Sequence, residues 1–143
     1  MGISEAFEER WRLSPARMAE RVHAGRFVRY PHIRFIDDAI TGPIARGGAR
    51  ILLSVPPRHG KSWLTSLYTP SWYLSLFSER SVILASYEAT FAAHWGRQVR
   101  NFLLENQEQL RVGLSSDSLA ADRWNTTEGG GMVTAGIGGP ITG

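Results

Sequence analysis

The sequence of 143 residues contains no cysteine, a single lysine and no long apolar run. The absence of cysteine excludes a disulfide framework and zinc bound by cysteine, and it is typical of a cytosolic protein. No apolar run approaches the length of a membrane span, and the N-terminus is rich in Glu and Arg, so neither a membrane partner nor a signal peptide is expected. A hydrophobic content of 43% and a charged content of 20% are those of a globular protein.

The net charge of the chain is +3, and the basic excess lies before residue 51. Residues 1–50 hold nine Arg against six acidic residues, whereas residues 51–143 hold seven basic and seven acidic residues. A mildly basic balance permits a polyanionic partner but does not require one.

Residues 51–62 carry the clearest chemical signal in the sequence. The apolar run Ile51–Val55 predicts a short buried strand, which the following Pro56-Pro57 pair cannot continue. Gly60-Lys61-Ser62 then opens a predicted helix, and strand, loop and helix in this order are typical of a phosphate-binding loop. Backbone N–H groups would face the phosphates, Lys61 would reach the β- and γ-oxygens, and the Ser62 hydroxyl would ligate Mg²⁺.

The loop departs from the general motif Gly-x-x-x-x-Gly-Lys-Ser/Thr, because Val55 stands at the position of the first glycine. Lys61 is nevertheless the only lysine among sixteen basic residues. A compact ammonium fits inside a closed loop better than a planar guanidinium does, so this single lysine favours a phosphate contact. The alternative is a turn into an amphipathic helix with an exposed lysine.

Periodicity places helices before the loop. Ser14-Pro15 indicates a helix start, with a capping residue followed by proline at the first helical position. Isoleucines at helical spacing predict a further helix that ends near residue 45: Ile33, Ile36 and Ile40. Asp37 and Asp38 follow an apolar pair as strand-end acids would, but this spacing places them on the solvated face of that helix.

The sequence after the loop alternates between helical and extended patterns. Pro70 is expected to kink or divide the helix that follows the loop. Residues 81–87 are predicted to form a buried strand, residues 89–104 an amphipathic helix, residues 124–127 an edge strand and residues 132–137 another apolar strand. Apolar strands that alternate with helices imply a parallel sheet covered on both faces, so an α/β fold is expected.

The motifs that connect the chain to a known family are Tyr30-Pro31-His32, Pro56–Ser62, Leu84–Tyr87, Asp122-Arg123-Trp124, Gly129–Gly131 and Gly136–Gly143. On these residues the chain resembles the N-terminal ATPase part of the phage terminase large subunit, the ATP-driven motor that packages DNA. The resemblance covers about residues 27–143. The Pro-Pro-Arg-His-Gly-Lys-Ser loop is specific to this family, which tolerates a residue other than glycine at the position of Val55.

The resemblance implies a P-loop NTPase fold of three layers, in which residues 1–26 form an N-terminal helical segment and residues 27–143 part of the ATPase domain. It implies ATP and Mg²⁺ as cofactors, and ATP hydrolysis that drives translocation of double-stranded DNA into the capsid. The implied partners are the portal, the small terminase subunit and further copies of the chain in the full-length motor. The implied location is the cytoplasm of the bacterial host.

The resemblance also assigns residues to the nucleotide: Pro57, Arg58, His59, Gly60, Lys61 and Ser62 at the phosphates, and Tyr30 and His32 at the adenine. Lys61 and Arg58 are the catalytic candidates, because the family carries an arginine in the loop that contacts the γ-phosphate. The alternative for Arg58 is a surface ion pair, and the alternative for the two rings is simple packing. His59 is expected to fill the loop, since phosphoryl transfer depends on positioning and electrostatics.

A finger that reaches the nucleotide of a neighbouring subunit has three candidates: Arg97, Arg100 and Arg123. The alternative for Arg97 and Arg100 is the polar side of an amphipathic helix.

In the family, the glycine-rich stretch near Gly143 is followed by an apolar strand that ends in paired acids, which hold Mg²⁺ and activate water. The sequence stops before such a strand, so this chain alone is expected to bind nucleotide and to hydrolyse it negligibly. A small P-loop kinase would need a lid and substrate arginines of its own. A nucleotide-binding module without catalysis, or a truncated prophage remnant, stays open as an alternative.

Overall fold

The computed structural model describes residues 9–58 and 60–137. It is a mixed α/β protein with five α-helices and one four-stranded sheet in the described residues. The chain divides into two compact units, Met1–Trp72 and Tyr73–Gly143. None of the helices between residues 9 and 137, residue 59 excepted, combines the length and apolar character needed to span a bilayer.

The first unit consists of helices and irregular segments. In chain order it contains a 3-10 helix (Glu9–Leu13), α1 (Pro15–Val22), α2 (Pro31–Arg46), a π-helix (Trp63–Tyr68) and the first half of α3 (Thr69–Leu76). The predicted start of α1 is confirmed, because Ser14 Oγ accepts a hydrogen bond from Arg17 N at 3.2 Å and Pro15 occupies the first helical position.

Helix α2 presents its isoleucines to the core as predicted, with Ile33, Ile36 and Ile40 all buried. The placement of Asp37 on a solvated face is wrong, whereas Asp38 is exposed as expected. Asp37 is only 3% exposed, and its Oδ1 accepts a hydrogen bond from Ala16 N at 2.9 Å. Its carboxylate thereby satisfies an N–H group in the first turn of α1, where a helix has no acceptor of its own.

The predicted buried strand Ile51–Val55 is absent. These residues adopt no regular secondary structure, and the side chains of Ile51 and Leu52 are 43% and 98% exposed. All four strands of the described sheet come from residues 81–136, so no strand pairs with this segment. A segment without a partner strand leaves its backbone groups without ladder hydrogen bonds, and its exposed apolar side chains gain nothing from burial.

The helix after the loop is divided near Pro70, as predicted. Trp63–Tyr68 has π-helical geometry, and Thr69 N donates a hydrogen bond to Leu64 O, five residues earlier. Pro70 then lies in the first turn of α3, and without an N–H group it cannot donate to a carbonyl of the π-helix that precedes it.

The second unit contains the sheet and the helices that pack on it. Its elements are β1 (Ser81–Ser86), α4 (Ala89–Glu105), α5 (Gln107–Leu110), β2 (Leu114–Leu119), β3 (Arg123–Thr126) and β4 (Gly131–Gly136), and the strand order is β1-β4-β3-β2. Strand β1 runs parallel to β4, while β3 is antiparallel to both β4 and β2.

The sheet is therefore mixed, and the expectation of a parallel sheet is wrong. Strands β3 and β4 are joined by only four residues, 127–130, and a connection this short permits only antiparallel pairing. Gly130 makes this turn possible, because a Cβ at this position would collide with the carbonyl oxygens of Ser78 and Arg80. The prediction of an edge strand at residues 124–127 is also wrong, since β3 is an inner strand and β2 lies at the edge.

Helix α4 confirms the amphipathic pattern of residues 89–104 and supplies the core of the second unit. Its apolar face packs on β4 and β1, where Trp95, Val99 and Leu103 are buried. Trp124 of β3 is fully buried and donates from Nε1 to Gly96 O at 3.0 Å. Ile83 of β1 is 61% exposed, so the expectation that both faces of the sheet are covered is wrong for this strand.

Candidate functional site

The loop before Lys61 has an unusual backbone. Arg58 has φ of 63° and Gly60 has φ of 76°, so both lie in the left-handed region. This conformation costs about 1–3 kcal/mol for a residue with a side chain and is concentrated at ligand-binding sites. Gly60 meets a second demand, because a Cβ there would lie 3.2 Å from Ile33 Cδ1.

The helix begins immediately after Gly60. Gly60 O accepts the first helical hydrogen bond, from Leu64 N at 3.1 Å, and Lys61 O accepts from Thr65 Oγ1 at 2.8 Å. The first N–H groups of any helix lack an acceptor in the helix itself, and its N-terminus carries partial positive charge. The Ser62 side chain forms no capping hydrogen bond. Its exposed hydroxyl therefore lies at the helix start, beside the half-buried Lys61.

A pocket of about 370 Å³ lies next to the loop within the first unit. Its volume falls within the range of small-molecule sites, about 300–1,000 Å³. The lining is mainly apolar and aromatic, with two guanidinium groups: Arg26, Phe27, Val28, Tyr30, His32, Ile33, Arg58 and Gly60. The pocket thus brings together four of the residues that the sequence assigned to the nucleotide, namely Tyr30, His32, Arg58 and Gly60.

Tyr30 and His32 present their rings in parallel at the edge of α2. The ring centroids are 6.0 Å apart and the planes differ by 5°. Tyr30 precedes the helix and Pro31 occupies its first position, which fixes the backbone direction between the two rings. Both side chains are exposed on the outer surface. They are accessible to a planar ligand.

Contacts behind the pocket connect its wall to the helix that follows the loop. His23 Nε2 lies 2.9 Å from Tyr68 Oη, and the Phe27 and Tyr68 rings meet edge to face at 5.4 Å. Burial, with a smaller effect of Arg26, lowers the pKa of His23, and burial raises the pKa of Tyr68. Both groups are therefore neutral near pH 7. No sequence pattern indicated this pair, because the two residues belong to no motif and are separated by 45 residues.

The two basic residues of the loop have no carboxylate partner in the part of the chain that the structure describes. The ion pairs found there are Arg12–Glu9, Arg29–Glu20 and Arg80–Glu79. The alternative in which Arg58 is a surface arginine paired with a carboxylate therefore lacks a partner among residues 9–58 and 60–137. An exposed guanidinium and a half-buried ammonium next to a helix start are suited to an anionic ligand.

The described residues contain no group of three or more His, Asp or Glu side chains that could hold a metal ion by themselves. Mg²⁺ does not require such a group, because it keeps several waters and is bound through one or two protein ligands together with substrate phosphates. The Ser62 hydroxyl, exposed and without a capping bond, fits the role of such a ligand.

The three arginines considered as finger candidates lie on elements of the second unit. Arg97 is exposed on α4 and Arg123 is exposed on β3. Arg100 donates from Nη1 to Leu119 O at 2.6 Å, which indicates a structural role and supports the polar-side alternative for this residue. Pro57 lies exposed in the turn of the loop. The predictions for His59 and for the motif after Ile137 lie outside the described residues.

Comparisons of the chain with protein-family models, with curated proteins and with solved structures found no match. The function is therefore inferred from the loop, the helix start and the adjoining pocket.

Proposed function

We propose that the chain binds ATP with Mg²⁺ and forms part of the ATPase domain of a DNA-packaging motor of the terminase large-subunit type. One observation carries the nucleotide assignment: the pocket that places Tyr30 and His32 beside Arg58 and Gly60, directly before the helix start at Lys61 and Ser62. Base and phosphate contacts are thus available within one small region of the first unit.

In this proposal the triphosphate lies at the helix start. The N–H groups of the first turn donate to phosphate oxygens, and the partial positive charge of the helix terminus favours the anion. Lys61 adds a compact charge at the β- and γ-phosphates, and Ser62 ligates Mg²⁺. Arg58 contacts the γ-phosphate, where a charge-assisted hydrogen bond contributes about 1.5–3 kcal/mol.

The adenine occupies the aromatic part of the pocket. Stacking of a base on an aromatic side chain contributes roughly 1–3 kcal/mol and tolerates any base, because every base has a π-face. Tyr30 and His32 offer parallel rings for this contact, and Ile33 provides apolar surface below them. The site is therefore expected to prefer a nucleotide to inorganic triphosphate, with little discrimination among bases.

The proposed P-loop fold requires a strand before the loop, whereas Ile51–Val55 forms no strand in the structure, and Ile51 and Leu52 are exposed. Support for ATP binding consequently comes from the loop and the pocket and not from the sheet. Hydrolysis requires an oriented water and a metal held by an acid, and neither is provided by the loop residues. ATP turnover, DNA translocation and the portal and small-subunit partners belong to the proposed full-length motor.

Isothermal titration of the chain with ATP and Mg²⁺ tests the site when three variants are compared. Lys61→Ala is expected to weaken binding of both ATP and inorganic triphosphate, because it removes a phosphate contact. Tyr30→Ala is expected to weaken binding of ATP alone. Arg46→Ala is the control with the same loss of one positive charge, at an exposed residue that does not line the pocket. Equal ATP affinity of the chain and Lys61→Ala would refute the phosphate-loop assignment.

A nucleotide-binding module without catalysis is the second candidate. It is favoured by the lack, among the described residues, of a carboxylate cluster that could hold a metal ion. A phosphate-release assay separates the two when the chain is compared with a version extended through the next acidic strand. The motor predicts hydrolysis by the longer version, while the binding module predicts none by either.

A further inference from the structure

We propose that the chain forms a dimer in which strand β1 pairs with β1 of a second copy, antiparallel and with Leu84 opposite itself on a two-fold axis. Strand β1 lies at one end of the four-stranded sheet, and in the described residues it pairs only with β4. An edge strand offers backbone donors and acceptors to a further strand. All residues of this interface belong to the second unit, so it is independent of the proposed nucleotide site.

The backbone groups at the open side of β1 belong to its odd-numbered residues. Arg80 O accepts a hydrogen bond from Gly131 N at 3.0 Å, and Ser86 O accepts one from Ile137 N at 2.8 Å, so the even-numbered residues face β4. Alternate residues of a strand direct their N–H and C=O groups to opposite sides. Residues 81, 83 and 85 therefore direct theirs away from the sheet, where the described part of the chain provides no partner strand.

The two edges of the sheet differ in their protection against further pairing. At the far edge, β2 carries Asp117, and its pairing with β3 shifts register between Leu114 and Leu119. Charged side chains and irregular pairing are common ways in which proteins block an open edge. Strand β1 has the sequence Ser-Val-Ile-Leu-Ala-Ser, without charge or proline, and pairs with β4 in a regular register. It is therefore the edge that accepts another strand.

The two faces of β1 restrict how two copies can pair. Residues 82, 84 and 86 are half-buried, and residues 81, 83 and 85 are exposed. A two-fold axis perpendicular to the sheet keeps the more buried faces of both copies on the same side, so residues opposite each other share a face. Two registers then pair nearly the whole of β1. One places Ile83 opposite itself, and the other places Leu84 opposite itself.

Charge and side-chain size favour the register with Leu84 on the axis. There Arg80 faces Glu88 of the second copy, twice by symmetry, and Ile83 faces the small side chain of Ala85. Glu88 is exposed and forms no ion pair with any residue that the structure describes. Opposite charges that face each other across two strands stabilise their pairing. In the other register Arg80 and Glu88 are two residues out of alignment.

Arg80 is positioned at the start of β1 and stays accessible. Its Nη1 donates to Tyr73 Oη at 3.2 Å, and its guanidinium carbon lies 4.4 Å from the centre of the Phe77 ring. Its Nε lies 3.6 Å from Glu79 Oε1, but both side chains are more than half exposed, so this ion pair is weak. A guanidinium has several donors, and Arg80 can contact Glu88 of a second copy while it keeps these contacts.

Exposed apolar side chains near the open edge gain contacts in the same dimer. Ile83 on β1 is 61% exposed, and Tyr87 and Ile137, which directly follow β1 and β4, are each 78% exposed. Burial of part of this surface adds to the main-chain hydrogen bonds that two paired strands form. The interface is small, so a weak dimer is expected.

Single cysteines report the register directly, because the chain has none of its own. In the proposed dimer Leu84→Cys lies opposite itself, within the distance that a disulfide requires. Ile83→Cys is two residues out of alignment with its own copy, which is too far for a disulfide. Oxidation is expected to give a covalent dimer of Leu84→Cys and little of Ile83→Cys. Equal cross-linking of the two variants, the reverse order, or cross-linking of neither would overturn the proposal.

Sedimentation equilibrium of the unchanged chain is expected to show a dimer fraction that rises with concentration. Arg80→Glu and Glu88→Arg each place like charges across the axis, so each is expected to weaken association about fivefold. The double variant exchanges the two charges and is expected to restore association. Ile83→Lys is expected to abolish the dimer, because a charge on an edge strand opposes pairing, and Ile83→Thr is its uncharged control.

Circular dichroism and thermal melting establish that each variant is folded. A monomer at every soluble concentration of the unchanged chain would overturn the proposal. A dimer that persists in Ile83→Lys, that is insensitive to the single charge changes, or that the charge exchange fails to restore would overturn it as well. Species larger than a dimer that survive these changes would indicate association through another surface and would also contradict it.

Discussion

Two apolar segments of similar composition differ in structure in this protein. Ser81–Ser86 forms strand β1, paired with β4 along six residues, whereas Ile51–Val55 forms no strand and leaves Leu52 98% exposed. Strand propensity is therefore insufficient by itself, because a strand is stabilised by its neighbours and by the surface it buries. β1 has both a parallel partner and a helix packed on it, while Ile51–Val55 has no partner strand in the described structure.

The largest loss of stability is expected when Trp124, on the inner strand β3, is removed. Trp124→Ala would leave a large cavity and the Gly96 carbonyl without its donor, and it is expected to lower the free energy of unfolding by about 3–5 kcal/mol. Leu52→Ala, in the unpaired segment, is expected to change it by no more than about 0.5 kcal/mol. Urea denaturation measures both. A comparable loss in the two variants would show that Ile51–Val55 is packed after all.

Replacement of a glycine is likewise expected to destabilise the protein more in the sheet than in the segment before the loop. Gly130→Ala forces a Cβ into the carbonyl oxygens of Ser78 and Arg80, so we expect a loss of about 3 kcal/mol. Gly48→Ala has open space around its Cβ, and only its φ of 66° is unfavourable, so about 1 kcal/mol is expected. Thermal melting of the two variants tests this order. If Gly48→Ala were the more destabilised of the two, the segment before the loop would be more tightly packed than the structure indicates.

Asp37 tests whether the helices that precede the unpaired segment are firmly packed. Asp37→Ala leaves the Ala16 N–H without its acceptor and is expected to lower the free energy of unfolding by about 1–3 kcal/mol. Asp37→Asn keeps an oxygen acceptor and is expected to lose less. Both variants are compared with the unchanged chain by urea denaturation at pH 7.

The same residue predicts a pH dependence. Burial raises the pKa of Asp37, although hydrogen bonds from Ser14 and Ala16 oppose this effect. The stabilising contribution of the protonated carboxyl is then present below the unfolded pKa of about 3.9 and is lost as pH rises through the folded value. We expect Asp37→Asn to gain stability relative to the unchanged chain between about pH 4 and pH 7. A relative loss over that interval would contradict a raised pKa.

Local patterns in the sequence predicted the helices well. The Ser14-Pro15 cap, the buried isoleucines of α2 and the amphipathic face of α4 all follow from interactions between residues within a few positions of each other. The break near Pro70 follows from its missing N–H group in the same way. These features require no knowledge of the rest of the chain.

Features that depend on distant residues were not predictable by these patterns. The absence of a partner for Ile51–Val55 and the burial of Asp37 are each decided by contacts with remote segments. The candidate site shows the same contrast between local signals and contacts of distant residues. The loop motif was readable in the sequence, whereas the participation of Phe27 in the pocket and the His23–Tyr68 contact behind it were not.

Hydrogen exchange with and without ATP and Mg²⁺ tests the proposed site most directly, because it reports on backbone N–H groups in both compared regions at once. Protection is expected to increase in residues 57–68 and 27–33, to stay unchanged in β1 and β4, and to be lost in Lys61→Ala. An increase of equal size in Lys61→Ala, or no increase around the loop at saturating ATP, would contradict the proposal that this loop binds the nucleotide.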